Sequence, residues 1–536
     1  MPVPASLRKP LYWLLALLLL VGVGFGVGAW LTWRHDHLPA VSLANQVPAT
    51  ADAVVWLDRM DVAARGLRRL TDRVAGARGV REALQLLADV DPLDREAVQG
   101  VGLRPDAGAV LFRWQGALWL ALPVADPKGA QHVLTVLKHR GYGCEGQNPW
   151  QVLDRQGAHK QVAEMRLRDG MLLLAWPTGP KAASFGDYDA AAKRPTLTSG
   201  PGELHAQLQV AADGPELTAI HGLLGPANLV LGGLVDRVER LDADLQLDVA
   251  QPQLHVRLAS KPGALADIAD YHMRFLPEAP GALLDLGQLL PDETPLLFRA
   301  RLNPALLALV PQALRDAFLP ASTLGALHPA LNGVDFQRTV LQVWDGQIAI
   351  VLLGVADDLP LDPGAWAQRS WRKDLRVGLA FSTHTDTEAD AVVQAVRAAM
   401  ETSADKPTTA QFRDWAGLAV ANPDAPWWLL RHGRQLVLVS GHGERDDLAR
   451  VATGKFPDLH AAATAPVEKS LLDGAGRWAG VLVETPRIAR ALRRRGMPDY
   501  AVQLLAAVQS LAVAVSLDAD ALTLDVQLRP TVEVAP

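Results

Sequence analysis

Apolar and polar positions follow three regimes along the chain. From Leu11 to Trp33 there are 23 residues without a charge, ending in the alternating glycines Gly22 to Gly28. At about 1.5 Å per residue a helix over this stretch is roughly 35 Å long, against a bilayer hydrocarbon core of about 30 Å. The pattern therefore predicts a transmembrane helix over 11–33, with Tyr12, Trp13, Trp30 and Trp33 as interfacial rings. Arg8 and Lys9 precede it and predict a cytoplasmic N-terminus over 1–10, with the bulk of the chain outside. The competing reading is a cleaved signal peptide ending near Val27-Gly28-Ala29, but such apolar regions run about 7 to 15 residues and this one is longer. Gly22 with Gly26, and Gly24 with Gly28, have the small-residue spacing through which two membrane helices could form a homodimer.

After a polar tether over 34–44, the second and third regimes are short alternating strands and stretches of helical period, and they occur twice. Val47-Pro48-Ala49-Thr50 leads into Ala53 to Leu57, as Leu290-Pro291-Asp292-Glu293-Thr294 leads into Leu296 to Phe298. Trp114-Gln115-Gly116 and Trp344-Asp345-Gly346 each precede an alternating run. Leu120-Ala121 and Leu379-Ala380 each run into a helical pattern at the same spacing, and Gly170 and Gly433 each open a strand of hairpin type. Leu241 to Ser260 and Leu511 to Pro530 both read as paired strands. Two divergent copies of one module are expected, 45–265 and 285–532, joined by a linker over 266–284. An insertion of about 30 residues is expected in the second copy, near 355–376. Hairpins outnumber strand–helix alternations, so the expected fold class is α+β, with mainly antiparallel modules behind the membrane helix.

Composition narrows the function classes. In 536 residues, 49% are hydrophobic and 21% charged, ordinary globular values for a chain long enough to hold two or three domains. The net charge of −6 supplies no basic footprint for nucleic acid. Cys144 is the only cysteine, so neither an intramolecular disulfide nor a cysteine-based metal site can form.

The motifs with chemical potential each have a simpler reading. Gly141 to Gly146 matches G-x-G-x-x-G, but a helical stretch ending in Lys138-His139-Arg140 precedes it where a dinucleotide site needs a strand, so the glycines read as a helix stop. Ser370 to Lys373, Ser403 to Lys406 and Ser6 to Lys9 share the S-x-x-K spacing without the elements that complete an acyl-transfer site. Gly441-His442-Gly443 with Asp446 and Asp447 is the most catalytic-looking cluster. Thr385 with Glu388 reads as a capping box, and Arg487, Arg490, Arg493, Arg494 and Arg495 as a basic helix face. No assembled catalytic or metal signature emerges, and no cofactor is expected.

With its apolar N-terminal run and its proline-led strand openings, Val47-Pro48-Ala49-Thr50 and the Leu-Pro-x-x-Thr run Leu290-Pro291-Asp292-Glu293-Thr294, the chain resembles bacterial membrane-anchored envelope proteins of unknown function. The resemblance implies an inner-membrane, single-pass protein with a periplasmic bulk, and no activity. The expected function is non-catalytic: binding of a partner protein, a lipid or an apolar ligand, using Trp114, Trp119, Trp344, Arg490 and Arg494. The alternative is a hydrolase-like envelope enzyme with a site near His442.

Overall fold

A computed structural model describes, with short interruptions, residues 43–73, 94–154, 161–210, 236–267, 294–301, 337–355, 375–440, 458–494 and 508–531. Its contacts divide the chain into two units, Met1–Ala264 and Leu265–Pro536.

In the first unit the described strands are β1 (Ala53–Leu57), β2 (Ala109–Trp114), β3 (Ala117–Pro123), β4 (Gly143–Glu145), β5 (Trp150–Leu153), β6 (Gln161–Arg168), β7 (Met171–Pro177), β8 (Leu204–Gln209), β9 (Val238–Gln246) and β10 (Gln253–Ser260). They pair antiparallel throughout, in the order β4-β5-β6-β7-β3-β2-β1-β8-β9-β10. The central strand β3 reads Ala-Leu-Trp-Leu-Ala-Leu-Pro and is buried along nearly its whole length, as an apolar run covered on both faces must be. One face packs Leu120, Leu122, Leu172 and Leu174 against Ala130, Val133 and Val136 of the helix Pro127–His139. The other packs Val54, Phe112, Trp119 and Ala121 against Phe185 and Tyr188 of the short helix Phe185–Ala190. Ser184 starts that short helix with a capping box to Asp187.

In the second unit the described strands are β11 (Leu296–Arg301), β12 (Trp344–Val355), β13 (Leu375–Thr383), β14 (Thr408–Phe412), β15 (Trp415–Val420), β16 (Trp427–His432), β17 (Gln435–Ser440), β18 (Ala479–Glu484), β19 (Val508–Leu517) and β20 (Ala521–Pro530). Their antiparallel order is β14-β15-β16-β17-β13-β12-β11-β18-β19-β20, the order of the first unit strand for strand. One face is covered by the helix Asp386–Glu401 through Ala389, Val392, Val393 and Val396. The opposite face is covered by Val467, Leu471 and Leu472 of the helix Pro466–Asp473. The helix Asp386–Glu401 opens with a capping box, Thr385 Oγ1 accepting from Glu388 N at 3.2 Å while Glu388 Oε2 accepts from Thr385 N at 2.8 Å.

The correspondence extends to individual rungs. Val54 lies opposite Phe112 and Phe112 opposite Trp119; Leu297 lies opposite Val351 and Val351 opposite Gly378. Leu120 faces Leu174 as Leu379 faces Leu438, and Leu241 faces Leu258 as Leu511 faces Leu528. The Trp-x-Gly similarity does not follow these rungs. Trp114 ends β2 before a two-residue turn at Gln115-Gly116, whereas Trp344 begins β12. The place of Trp114 is held by Leu353, one step beyond the Leu352 rung. The glycine turns are offset by one residue: Asp169-Gly170 joins the rung of Arg168 and Met171, and Gly433-Arg434 joins that of His432 and Gln435. Residues 356–374, which hold most of the expected insertion, lie outside the described residues.

The expected membrane architecture is overturned so far as the described residues go. Among them no helix is long and apolar enough to cross a membrane. The longest, Asp386–Glu401, has 16 residues and begins with Asp386 and Glu388; it would reach about 24 Å, short of a hydrocarbon core of about 30 Å. Residues 11–33, Gly22 and Gly26 included, lie outside the described residues. In place of a membrane helix leading into α+β modules, the structure has antiparallel β-sheet with scattered helices. The anchored, single-pass periplasmic reading is withdrawn with it, together with the envelope-protein resemblance, membrane-based partnering and the dimer through Gly22 and Gly26.

Candidate functional site

The register of β1, β8 and β9 aligns three side chains on one rung. Trp56 lies opposite His205, and His205 opposite Asp244. Asp58, two residues beyond Trp56, turns to the same face by the period of the strand. Trp56 stacks on the imidazole at 5.1 Å and 27°. His205 Nδ1 lies 2.5 Å from Asp244 Oδ1, and Nε2 lies 3.2 Å from Asp58 Oδ2, an ion-pair contact without hydrogen-bond angles. The ring is fully buried, while Asp58 is 47% exposed. Burial pushes the imidazole pKa down, but the two carboxylates push it up and prevail, so it stands above the ordinary 6.5. His205 thus lies between two acids, with Nδ1 in contact with Asp244 and Nε2 within ion-pair distance of Asp58.

The same rung of the second unit is built differently. Gly480 stands where His205 does, with Arg299 and Ala514 as its neighbours. Arg299 is buried and donates from Nη1 to the carbonyls of Leu471 and Leu472 at 3.1 and 2.7 Å, placing a cation at the C-terminal end of the helix Pro466–Asp473. That helix comes so close that a Cβ on Gly480 would stand 2.1 Å from Leu471 Cδ1 and 2.7 Å from the Val513 carbonyl oxygen.

Two further polar clusters are buried in the second unit. Asp345 accepts from Ser382 Oγ at 2.5 Å, from the Gln347 backbone N–H at 3.0 Å and from Gln347 Nε2 at 3.3 Å. Arg301 lies near enough for the Asp345 charge to oppose the lowering of its pKa by burial. In the other cluster Arg529 links two buried acids, with Nε 3.4 Å from Glu468 and Nη2 3.0 Å from Glu484, and Ser510 Oγ donates to Glu468.

Of the residues singled out in the sequence, Trp344 adjoins the Asp345 cluster through Gln347. Trp114, Trp119 and Trp344 are all buried in packed cores. Trp119 stacks on Tyr188 at 4.8 Å, Trp114 Nε1 donates to Thr50 Oγ1 at 3.0 Å, and Trp344 Nε1 donates to the Gln347 carbonyl at 2.6 Å. Arg490 is exposed on the helix Thr485–Arg494, which Arg494 ends. Gly141 and Gly146 take φ of 86° and 88° and bracket β4 after the helix Pro127–His139, which is helix-to-strand order and not that of a dinucleotide fingerprint. Burial raises the Cys144 thiol pKa against the opposing charge of Lys138, the direction away from an activated thiolate. Among the described residues no group of three His, Cys, Asp or Glu side chains could hold a metal ion. His442, Ser370 and the Asp446-Asp447 pair lie outside the described residues. His205 had no signal in sequence beyond its place in an alternating strand, because its partners come from β1 and β9. No family model, curated protein or solved structure matches the chain.

Proposed function

We propose that the chain is a divergent tandem duplication of one ten-strand unit and that it acts as a non-catalytic scaffold. The observation that carries this reading is the exchange of side chains on a common rung. His205 between Trp56 and Asp244 becomes Gly480 between Arg299 and Ala514, while strand order and register stay the same. What the units share is the framework, and each unit's buried charges serve that framework. A general base keeps one ring nitrogen for the proton it abstracts; His205 faces a carboxylate with both. Asp345 likewise accepts from Ser382 and from both the backbone and the side chain of Gln347.

The purified full-length chain should leave a small-molecule cell extract unchanged over hours, as followed by mass spectrometry. A product that forms with the wild-type chain, and not with a folded His205→Gln or Ser382→Ala variant, would show that one of these clusters is an active site and sink the proposal.

A further inference from the structure

The two units end their sheets differently at the equivalent edge. In the first, β4 has three residues, is bracketed by the positive-φ glycines Gly141 and Gly146, and ends in the exposed acid Glu145; its neighbour β5 shifts register between Val152 and Leu153. Shortness, charge and irregular register are the devices that keep a sheet edge from pairing with another chain. In the second, β14 has five uncharged residues, Thr-Thr-Ala-Gln-Phe, in unbroken register with β15 from Thr408 opposite Ala419 to Phe412 opposite Trp415. Among the described residues nothing pairs with its outer side. Phe412 and Trp415 close a two-residue turn, so Thr408, Ala410 and Phe412 bond inward to β15, and the N–H and C=O groups of Thr409 and Gln411 point outward.

We propose that β14 is an interaction edge that pairs antiparallel with β14 of a second copy of this chain. The two-fold axis passes through Ala410, with Thr409 of each copy opposite Gln411 of the other. Symmetry gives four main-chain hydrogen bonds in this register. Sliding Thr409 onto Thr409 would set Gln411 opposite Pro407, which has no N–H to give. Sliding Gln411 onto Gln411 would require an extended Arg413, whose φ is 50°. The favoured register also brings Lys406 of each copy to the Asp414 turn of the other. Both are exposed, and neither has an ion-pair partner among the described residues. The self-complementary charges are what select a second copy as the occupant. The contact involves neither Gly22 nor Gly26 and stands independently of the non-catalytic reading. It is small, so the association should be weak and concentration-dependent.

Sedimentation velocity of the full-length chain over a concentration series should show reversible dimerisation. Gln411→Pro removes one outward N–H and leaves the ladder to β15 intact; it should weaken the dimer by roughly tenfold or more with unchanged circular dichroism. Lys406→Glu should weaken it, and Lys406→Glu combined with Asp414→Lys should restore it. A chain that stays monomeric at every concentration, or a dimer indifferent to Gln411→Pro and to the charge reversal, overturns the proposal.

Discussion

His205 and Gly480 stand on the same rung of their units, and the space filled by an imidazole in one is filled by a helix in the other. A side chain at Gly480 would clash, because its Cβ would stand 2.1 Å from Leu471 Cδ1 and 2.7 Å from the Val513 carbonyl oxygen. Gly480→Ala should therefore destabilise the second unit by about 2 kcal/mol or more through overpacking. Adding Leu471→Ala should relieve only part of this, since the backbone contact to Val513 remains. Urea unfolding of the single and double variants measures both effects, and a neutral Gly480→Ala would contradict the packing described here.

Trp119 makes the complementary case in the first unit. It is fully buried between Phe185, which it meets edge-on at 5.1 Å, and Tyr188, on which it stacks, while Gly378 holds its rung in the second unit. Trp119→Ala should cost about 3–5 kcal/mol, within the range for emptying a large aromatic site. Trp344→Phe should cost about 1 kcal/mol, mainly through the lost hydrogen bond to the Gln347 carbonyl. Both follow from chemical denaturation read by far-ultraviolet circular dichroism. A Trp119→Ala variant as stable as the parent would mean that the cluster is not packed.

These tryptophans also show how far the sequence could be read. Alternating runs and x-Gly turns are local, so hairpins such as Leu241 with Leu258 and Leu511 with Leu528 were legible from their own residues. Trp-x-Gly before an alternating run was misleading because that local pattern suits both a turn after β2 and the start of β12, and only the pairing partners tell them apart. The same tryptophans were expected to take part in binding; the structure buries all three in packed cores. His205 was illegible for the converse reason. Its meaning comes from Trp56, Asp58 and Asp244, which the fold brings from distant strands onto one face.

The capping box at Thr385 predicts a smaller, local effect. Thr385 Oγ1 satisfies the Glu388 N–H, and Glu388 returns a bond to the Thr385 N–H. Thr385→Ala should cost about 1 kcal/mol and raise amide exchange in the first turn of the helix Asp386–Glu401. Hydrogen exchange resolved by mass spectrometry locates the change; exchange altered elsewhere, and not there, would speak against the cap.

The pH response of His205 provides the sharpest check on its clamp. Its folded pKa is raised above the ordinary 6.5, so the folded state binds a proton more tightly than the unfolded chain does. The resulting stabilisation is fully present below about 6.5, where the unfolded histidine is also protonated, and is lost as pH climbs through the folded pKa. Asn at this position can hydrogen-bond to Asp244 but carries no charge and does not titrate. The stability gap between the parent and His205→Asn should accordingly be largest near pH 6 and narrow as pH rises above 6.5. Replacing Asp244 by Asn in the parent should shrink the same gap, because one of the two carboxylates holding the charge is gone. Urea midpoints across pH 5.5 to 9 for the four combinations decide the matter. A gap that widened with pH would mean that the pKa of His205 is lowered on folding, and the clamp between the two carboxylates would have to be abandoned.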